Sequence, residues 1–364
     1  MLRAGGPLYY GLAPDSDIGG EVYERRLAER LPSHGVELVL GLRPGHRADK
    51  LPEGVQIDTV GPEREFHWLT APRFYVPYVV GLLRRDRVEL LRGHSVRYVG
   101  PSLLIARAIA RSKTPLVLHH HHFTPRWRAL EASILRRAGA VVTVSEHSRG
   151  QLIDAGVPRE RVHVVPDGVD RPPPTAAPGE DDWPQPGLRL LHVGRLEPRK
   201  GPRLAIEALD ELRRRGIAAS LVLAGDGPQR PELEALSAQR NLGAAVRFEG
   251  RVSDARKWQL LDGAELLLFG STLEGFGLVV AEAQSRGLPV VAARGTATSE
   301  ALVDGESGLL VSPTTSSFAD AVARLAEDDR RQAMAARALE FGRRFSWDSC
   351  AAGVAEVYRS LAGR

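Results

Sequence analysis

From residue 188 onward the chain alternates short, continuously apolar runs with longer stretches in which apolar residues recur every three or four positions. The runs at 188–193, 220–224, 246–248, 266–269, 289–292 and 308–311 predict buried strands, because a strand covered on both faces needs no polar alternation. The periodic stretches at 202–215, 230–241, 255–261, 278–286 and from 317 predict helices with one apolar face. A less regular version of the same pattern marks the first half, with strands at 36–40, 116–118 and 141–144 and helices at 101–111 and 127–137. Strand, helix and strand in repetition predict parallel sheets, since parallel neighbours need a crossover connection. At 171–187, RPPPTAAPGEDDWPQPG, proline and acidic residues replace the apolar periods, which reads as a linker between two Rossmann-like α/β domains.

Doubly wound sheets bind ligands outside the carboxyl ends of their strands, where loops enter helix N-termini rich in unpaired amides. The loops to inspect are therefore 194–201, 225–228, 250–254 and 270–277. Glu274 and Glu282 stand out in STLEGFGLVVAE. On one helix, eight steps of about 100° would set them roughly 80° apart, so they would not share a face. Their spacing fits a loop carrying Glu274, a turn at Gly275-Phe276-Gly277, a helix from Leu278, and Glu282 about one turn in. Amides at such a turn suit a phosphate, and carboxylates on either side suit vicinal hydroxyls, which is the shape of a sugar nucleotide. Taken alone, the two glutamates are better read as a helix-entry acid (Glu274) and an ordinary surface helix residue (Glu282). Gly194 ends the preceding strand run and is followed by Arg195 and Lys200, two cations at the same strand edge.

In the first half, Gly19-Gly20 precede a helix beginning near Glu21, where missing side chains let a phosphate or acceptor approach the backbone. His119 to His122 end the strand at 116–118. Adjacent strand residues face alternate sides, so four in a row do not converge on one ion, and no metal site is expected. His94, in RGHS, is a further histidine at a strand end, equally compatible with a packed or solvated role.

At 364 residues, 43% hydrophobic and 26% charged, the chain has ample material for two cores and is not a disordered one. No apolar run reaches the roughly 18 residues of a membrane span; the stretch 76–83 contains a proline and a glycine. The single cysteine, Cys350, excludes an internal disulfide and agrees with a reducing compartment. The start lacks a secretory h-region, so a cytoplasmic protein is expected. Net charge is +4, with 49 basic residues of which only four are lysines. Arginine clusters without interleaved aromatics give no nucleic-acid signature. Peripheral contact of a basic face with anionic lipid, on the inner face of a membrane, stays open.

The ordered set of segments resembles glycosyltransferase family 4, retaining sugar transferases of the GT-B fold. It comprises IGGEVYERRLAERL (18–31), VVTVSEHSRGQLIDAGVPRERVHVVPDGVD (141–170), LHVGRLEPRKG, LVLAGDGP, VRFEGRVSD, EGFGLVVAEAQSRGLPVVA and VDGESGLLV. The resemblance implies an acceptor domain at 1–170 rejoined by a closing helix at 346–364, the linker at 171–187, and a donor domain at 188–345 facing the first across a cleft. It implies that Arg195 and Lys200 bind the donor diphosphate and Glu282 the ribose. Glu274 with Gly275-Phe276-Gly277 would hold the transferred sugar and phosphate, and main-chain groups around Val252 would meet the base. Counting from Pro115, His121 matches the histidine that faces the donor sugar, with His119 on the same strand face.

The co-substrate would be a UDP-, GDP- or ADP-sugar, with no other cofactor, no metal and an acceptor the sequence does not name. Two departures bear on this: Gly295-Thr296-Ala297 stands where many relatives have a glycine pair before the glutamate matching Glu300, and Asp167 stands where asparagine is commoner. A nucleotide-sugar epimerase or phosphorylase in the same fold, and a non-catalytic nucleotide-binding protein, are the competing functions.

Overall fold

The computed structural model describes residues 1–9, 12, 19–45, 51–64, 66–85, 87–173 and 183–363. It divides into two units, Met1–Gly168 with Ser346–Arg364, and Val169–Phe345.

The first unit holds a seven-stranded, wholly parallel sheet: β1 (Leu2–Pro7), β2 (Val36–Leu42), β3 (Val55–Thr59), β4 (Leu90–Gly93), β5 (Leu116–His120), β6 (Ala140–Thr143) and β7 (Val162–Val164), in the order β3-β2-β1-β4-β5-β6-β7. Its helices are α1 (Gly19–Arg30), α2 (Pro72–Arg84), α3 (Val96–Ala110), α4 (Arg128–Leu135) and α5 (Glu146–Asp154). The second unit holds six parallel strands, β8 (Leu188–Val193), β9 (Ala219–Ala224), β10 (Val246–Gly250), β11 (Leu266–Phe269), β12 (Val290–Ala293) and β13 (Gly308–Val311), in the order β10-β9-β8-β11-β12-β13. Around it lie α6 (Pro202–Arg214), α7 (Arg230–Gln239), α8 (Asp254–Gly263), α9 (Leu278–Ser285), α10 (Thr315–Arg324) and α11 (Asp328–Gly342). The last helix, α12 (Trp347–Ala362), belongs to the first unit and packs on α1 and β6.

Each sheet buries the apolar runs that predicted it. Leu190, Leu221, Leu223, Leu266 and Leu268 meet Ile206 and Leu209 of α6 and Phe318 of α10 in one core. Each such side chain withdrawn from water contributes about 1.5–3 kcal/mol before the entropy of ordering it.

The differences from expectation concern the first unit. β1, at the centre of its sheet, reads LRAGGP and has no strand signature. Its glycines are there because a neighbour comes close: a Cβ on Gly6 would stand 2.1 Å from the Arg92 carbonyl oxygen. Strands β3, β4 and β7 are only three to five residues long and were not legible as runs. The helix expected at 101–111 begins at Val96 and carries Pro101 inside it. The one expected at 127–137 is a 3₁₀ turn, Pro125–Trp127, leading into α4. Of the linker, the acidic run Glu180-Asp181-Asp182 lies outside the described residues. Of the flanking described residues, Pro172 accepts a hydrogen bond from Arg286 Nη2 at 2.8 Å and Trp183 is buried.

Candidate active site

In the second unit the chain leaves β8 outward through β9 to β10 and returns as β11 on the other side of β8. Loops leaving the carboxyl ends of β8 and β11 therefore lie side by side, at the switch point where such sheets take ligands. Gly194 follows β8 directly. Arg195 comes next with its side chain 68% exposed and its Nε 3.3 Å from Glu197 Oε1. Lys200 closes a 3₁₀ turn, Pro198–Lys200, and reaches into the second loop, where Nζ donates to Glu274 Oε1 at 2.5 Å. The same oxygen accepts from Ser271 Oγ at 2.7 Å.

Past Glu274 the chain turns into α9. Gly277 caps the helix at φ +95°, a left-handed conformation that a residue with a Cβ adopts only under strain. Val280 and Ala281 donate back to the Gly277 carbonyl, so the Leu278 and Val279 amides precede the helix's own hydrogen-bond ladder. The Phe276 side chain is buried edge-on against Phe345, with centroids 5.3 Å apart.

Glu282 lies in the second turn of α9, paired at 2.7 Å through Oε1 with Nζ of Lys257 on α8; Lys257 is also 3.3 Å from Asp254. Burial pushes the Glu282 carboxyl up from its ordinary range while Lys257 pulls the other way. Burial alone would lower the Lys257 ammonium, yet Glu282 and Asp254 together hold it above its ordinary value. Val252 sits in the loop between β10 and α8. Glu300 ends a 3₁₀ turn, Ala297–Glu300, that Thr296 caps by accepting from the Thr298 amide.

In the first unit the corresponding switch lies between β1 and β4. Gly19 and Gly20 are the first residues of α1, and residues 13–18 before them lie outside the described residues. His121 follows the last residue of β5. Its carbonyl accepts from Ser148 Oγ at 2.9 Å, and its ring meets Tyr23 edge-on at 4.6 Å and His94 at 4.8 Å. Its Nε2 is enclosed and has no protein partner among the described residues. Burial, then the neighbouring His94 and His122, hold its pKa well below the ordinary histidine range, so it is a neutral imidazole.

His119, on the same strand face, is instead locked in the interior. Its Nδ1 and Nε2 lie 2.7 Å from the hydroxyls of Tyr23 and Tyr358 respectively. Arg92 Nε donates to Tyr358 at 2.9 Å, and its two terminal nitrogens grip Glu24 at 2.7 and 2.8 Å. With Arg92 donating, the Tyr358 proton goes to His119 Nε2, and His119 Nδ1–H then donates to Tyr23. His120 turns away and packs on Phe123 at 4.4 Å. The four histidines thus point into different surroundings, and among the described residues no three His, Cys, Asp or Glu side chains are grouped as metal ligands. His94 is buried, 3.5 Å from Glu24, with its pKa lowered to about 3 by burial and by Arg92.

Residues 178–341 match the family described as glycosyl transferases group 1, and residues 18–171 the one described as glycosyltransferase family 4. A D-inositol 3-phosphate glycosyltransferase of Acidothermus cellulolyticus is 30% identical over 385 residues, covering 94% of this chain and 86% of that protein. The chain belongs to glycosyltransferase family 4. The alpha-D-kanosaminyltransferase of Streptomyces kanamyceticus is 31% identical over 282 residues, 73% of this chain and 72% of its own length. The fold of this glycosyltransferase is that of Anabaena HepE, solved with UDP and glucose (TM-score 0.77, 23% identity, 99% and 100% of the two chains). Sucrose-phosphate synthase from Thermosynechococcus elongatus shares it as well (TM-score 0.81, 21% identity, 99% of each chain). Both units are Rossmann-like, and the glycosyltransferase has the GT-B fold. No helix among its described residues is long and apolar enough to cross a membrane.

Sequence reasoning missed Lys257, Ser271 and the buried Glu24–Arg92–Tyr358–His119–Tyr23 chain. One signal was present: of only four lysines, two hold the two candidate glutamates. A compact ammonium serves a single carboxylate oxygen where the wide guanidinium fork would cover both.

Proposed function

We propose that this family 4 glycosyltransferase moves a sugar from a nucleoside diphosphate to an acceptor hydroxyl with retention at the anomeric carbon. The observation that carries the reading is the pair of lysine-held glutamates flanking the N-terminus of α9 at the sheet's switch point. In each pair the cation occupies Oε1, so Oε2 of Glu282 is left to accept from a ribose hydroxyl and Oε2 of Glu274 from a hydroxyl of the transferred sugar. The Leu278 and Val279 amides, Lys200 and Arg195 receive the diphosphate, and main chain near Val252 the base. Neutral His121, just past the end of β5, is assigned to the transferred sugar. The acceptor oxygen forms its bond to the anomeric carbon on the face the diphosphate leaves, and the departing phosphate oxygen takes the acceptor proton. Charge growing on the diphosphate is met by Arg195, Lys200 and the helix amides, fixed before the reaction begins.

UDP is the first donor nucleotide to test, since HepE was solved with it, and a phosphorylated cyclitol the first acceptor, from the names of the curated relatives. The test is a thermal-shift comparison of UDP, GDP and ADP, followed by turnover of the matching sugar nucleotide with and without acceptor. Selective stabilisation by one nucleotide and acceptor-dependent transfer with retained configuration by NMR are expected. Stabilisation by none of them, or conversion of the donor sugar to its epimer, would overturn the reading. Because fixed cations carry the leaving-group charge in this scheme, transfer should survive exhaustive chelation; loss restored by magnesium or manganese would contradict it.

A further inference from the structure

Residues 64–137 carry fourteen basic and four acidic side chains, net +10, whereas the whole chain nets +4, so everything outside this segment nets −6. A compositional preference for arginine would spread evenly, whereas the positive excess is confined to this segment. In the second unit Arg203, Arg215, Arg230, Arg240, Arg331 and Arg337 each hold a carboxylate oxygen within 3.0 Å. On α2, α3 and the turns after them, Arg73, Arg84, Arg85, Arg111 and Lys113 are exposed, and none has a carboxylate within 4.0 Å among the described residues. Unpaired like charge on one face costs stability and favours an anionic partner.

The same face carries apolar side chains that the fold leaves uncovered. Of the exposed large hydrophobic residues, Leu69 (65%), Ile105 (44%) and Ile109 (52%) lie here. Ile105 and Ile109 are one turn apart on the outer side of α3, with exposed Ala108 between them, so the solvent stripe of this helix is apolar where a polar one is the rule. α2 and α3 pack side by side. Each carries the chain from one parallel strand to the next, so they run in the same direction and their C-terminal ends lie together. Arg84, Arg85, Arg111 and Lys113 therefore ring the end of the apolar stripe. At the opposite end Trp68 and Trp127 meet edge-on at 5.2 Å, with the Arg97 guanidinium 6.0 and 5.5 Å from their ring centres.

We propose that the outer face of α2 and α3 docks on an anionic bilayer surface. Headgroup phosphates would answer the unpaired cations, and Leu69, Ile105 and Ile109 would enter the apolar boundary, the tryptophan pair sitting at headgroup level. A nucleic acid would meet the charge and leave the aliphatic side chains in water. A second copy of the chain would set the same exposed cations against one another. The bilayer alone satisfies both halves of the face, independently of which sugar is transferred.

Flotation of the full chain with phosphatidylcholine vesicles, with and without about one third phosphatidylglycerol, tests this. Binding is expected to the anionic vesicles alone and to fall with salt. The double change Arg84→Glu and Arg85→Glu should weaken it at least tenfold, each basic residue near the surface being worth roughly fivefold. Ile105→Asp with Ile109→Asp should weaken it at low salt too, while melting transitions stay cooperative in both variants. Absence of wild-type binding to anionic vesicles, equal binding by folded variants, or binding to an RNA duplex that exceeds vesicle binding and ignores the isoleucine changes would each overturn the proposal.

Discussion

At the scale of single residues, the two candidate glutamates differ in what holds them, and their loss should read differently. Glu282 is fixed through Lys257 on a neighbouring helix, and in the proposed site it would hold the nucleoside whether or not the bond is breaking. Glu274 is fixed through Lys200 and Ser271 in the loop proposed to hold the reacting sugar. Glu282→Ala is therefore expected to raise the donor KM with kcat little changed, and Glu274→Ala to lower kcat. Lys257→Met should follow Glu282→Ala in direction, raising KM by roughly tenfold, the size of one charge-assisted hydrogen bond. Steady-state kinetics with varied donor decides; wild-type constants in Glu282→Ala would remove it from the site. The glutamates themselves were legible from spacing and loop position. Lys257 was not, since it lies 25 residues before its partner on another helix and carries no local pattern.

At the scale of elements, the first unit depends on a helix from the far end of the chain. α12 brings Tyr358 under β5, where its hydroxyl lies between Arg92 Nε and His119 Nε2. Tyr358→Phe keeps the ring and leaves both nitrogens without that partner, at a cost of about 1–3 kcal/mol to the first unit. Chemical unfolding followed through hydrogen exchange of β5 and β6 amides measures it, and an unchanged exchange free energy would mean the network contributes nothing. The helix itself was readable from the sequence, with Ser346 as its N-cap accepting from the Ser349 amide. Its partners were not, because they come from α1, β4 and β5. Central strand β1 was hidden for the opposite reason: its close neighbours demand glycine, and glycine erases the apolar signature of a strand.

At the scale of the whole molecule, buried titratable groups set opposing pH limits on the first unit. His94 and His120 are held down to about 3 by burial first, and His119 and His121 also lie well below their ordinary value. The unfolded chain takes up these protons first, so their contribution to stability is present above pH 6.5 and is lost as pH falls toward 3. Asp167 works the other way. Burial pushes its carboxyl up to about 8, and its Oδ1 has no partner among the described residues. Its contribution is fully present below about pH 4 and is lost as pH rises through 8. Between about pH 4 and 6.5 the two effects oppose each other and from about pH 6.5 to 8 the Asp167 loss acts alone, so stability of the first unit should decline from neutral pH to about 8, level off beyond it, and fall in acid as the histidines protonate. Asp167→Asn, which cannot ionise, should remove the decline that runs up to about pH 8 and stabilise by about 1–3 kcal/mol at pH 9. Denaturant unfolding across pH with parallel slopes for both proteins would refute it. In the sequence Asp167 stands out only as a place where asparagine is commoner; its burial makes the exchange consequential.

Periodicity and order of elements were determined by the sequence alone, because each strand and helix writes its own spacing and because parallel neighbours oblige a crossover. From those followed two Rossmann-like units and the loops after strands where ligand groups belong. Partnership was decided only by the tertiary structure. Which lysine holds which glutamate, which histidine is locked between tyrosines and which stands at a strand end, and which arginines lack a carboxylate all depend on residues dozens to hundreds of positions apart meeting within hydrogen-bond reach. A one-dimensional pattern carries residue type and spacing, and a charge pair carries distance, so the pair exists only once the chain has folded.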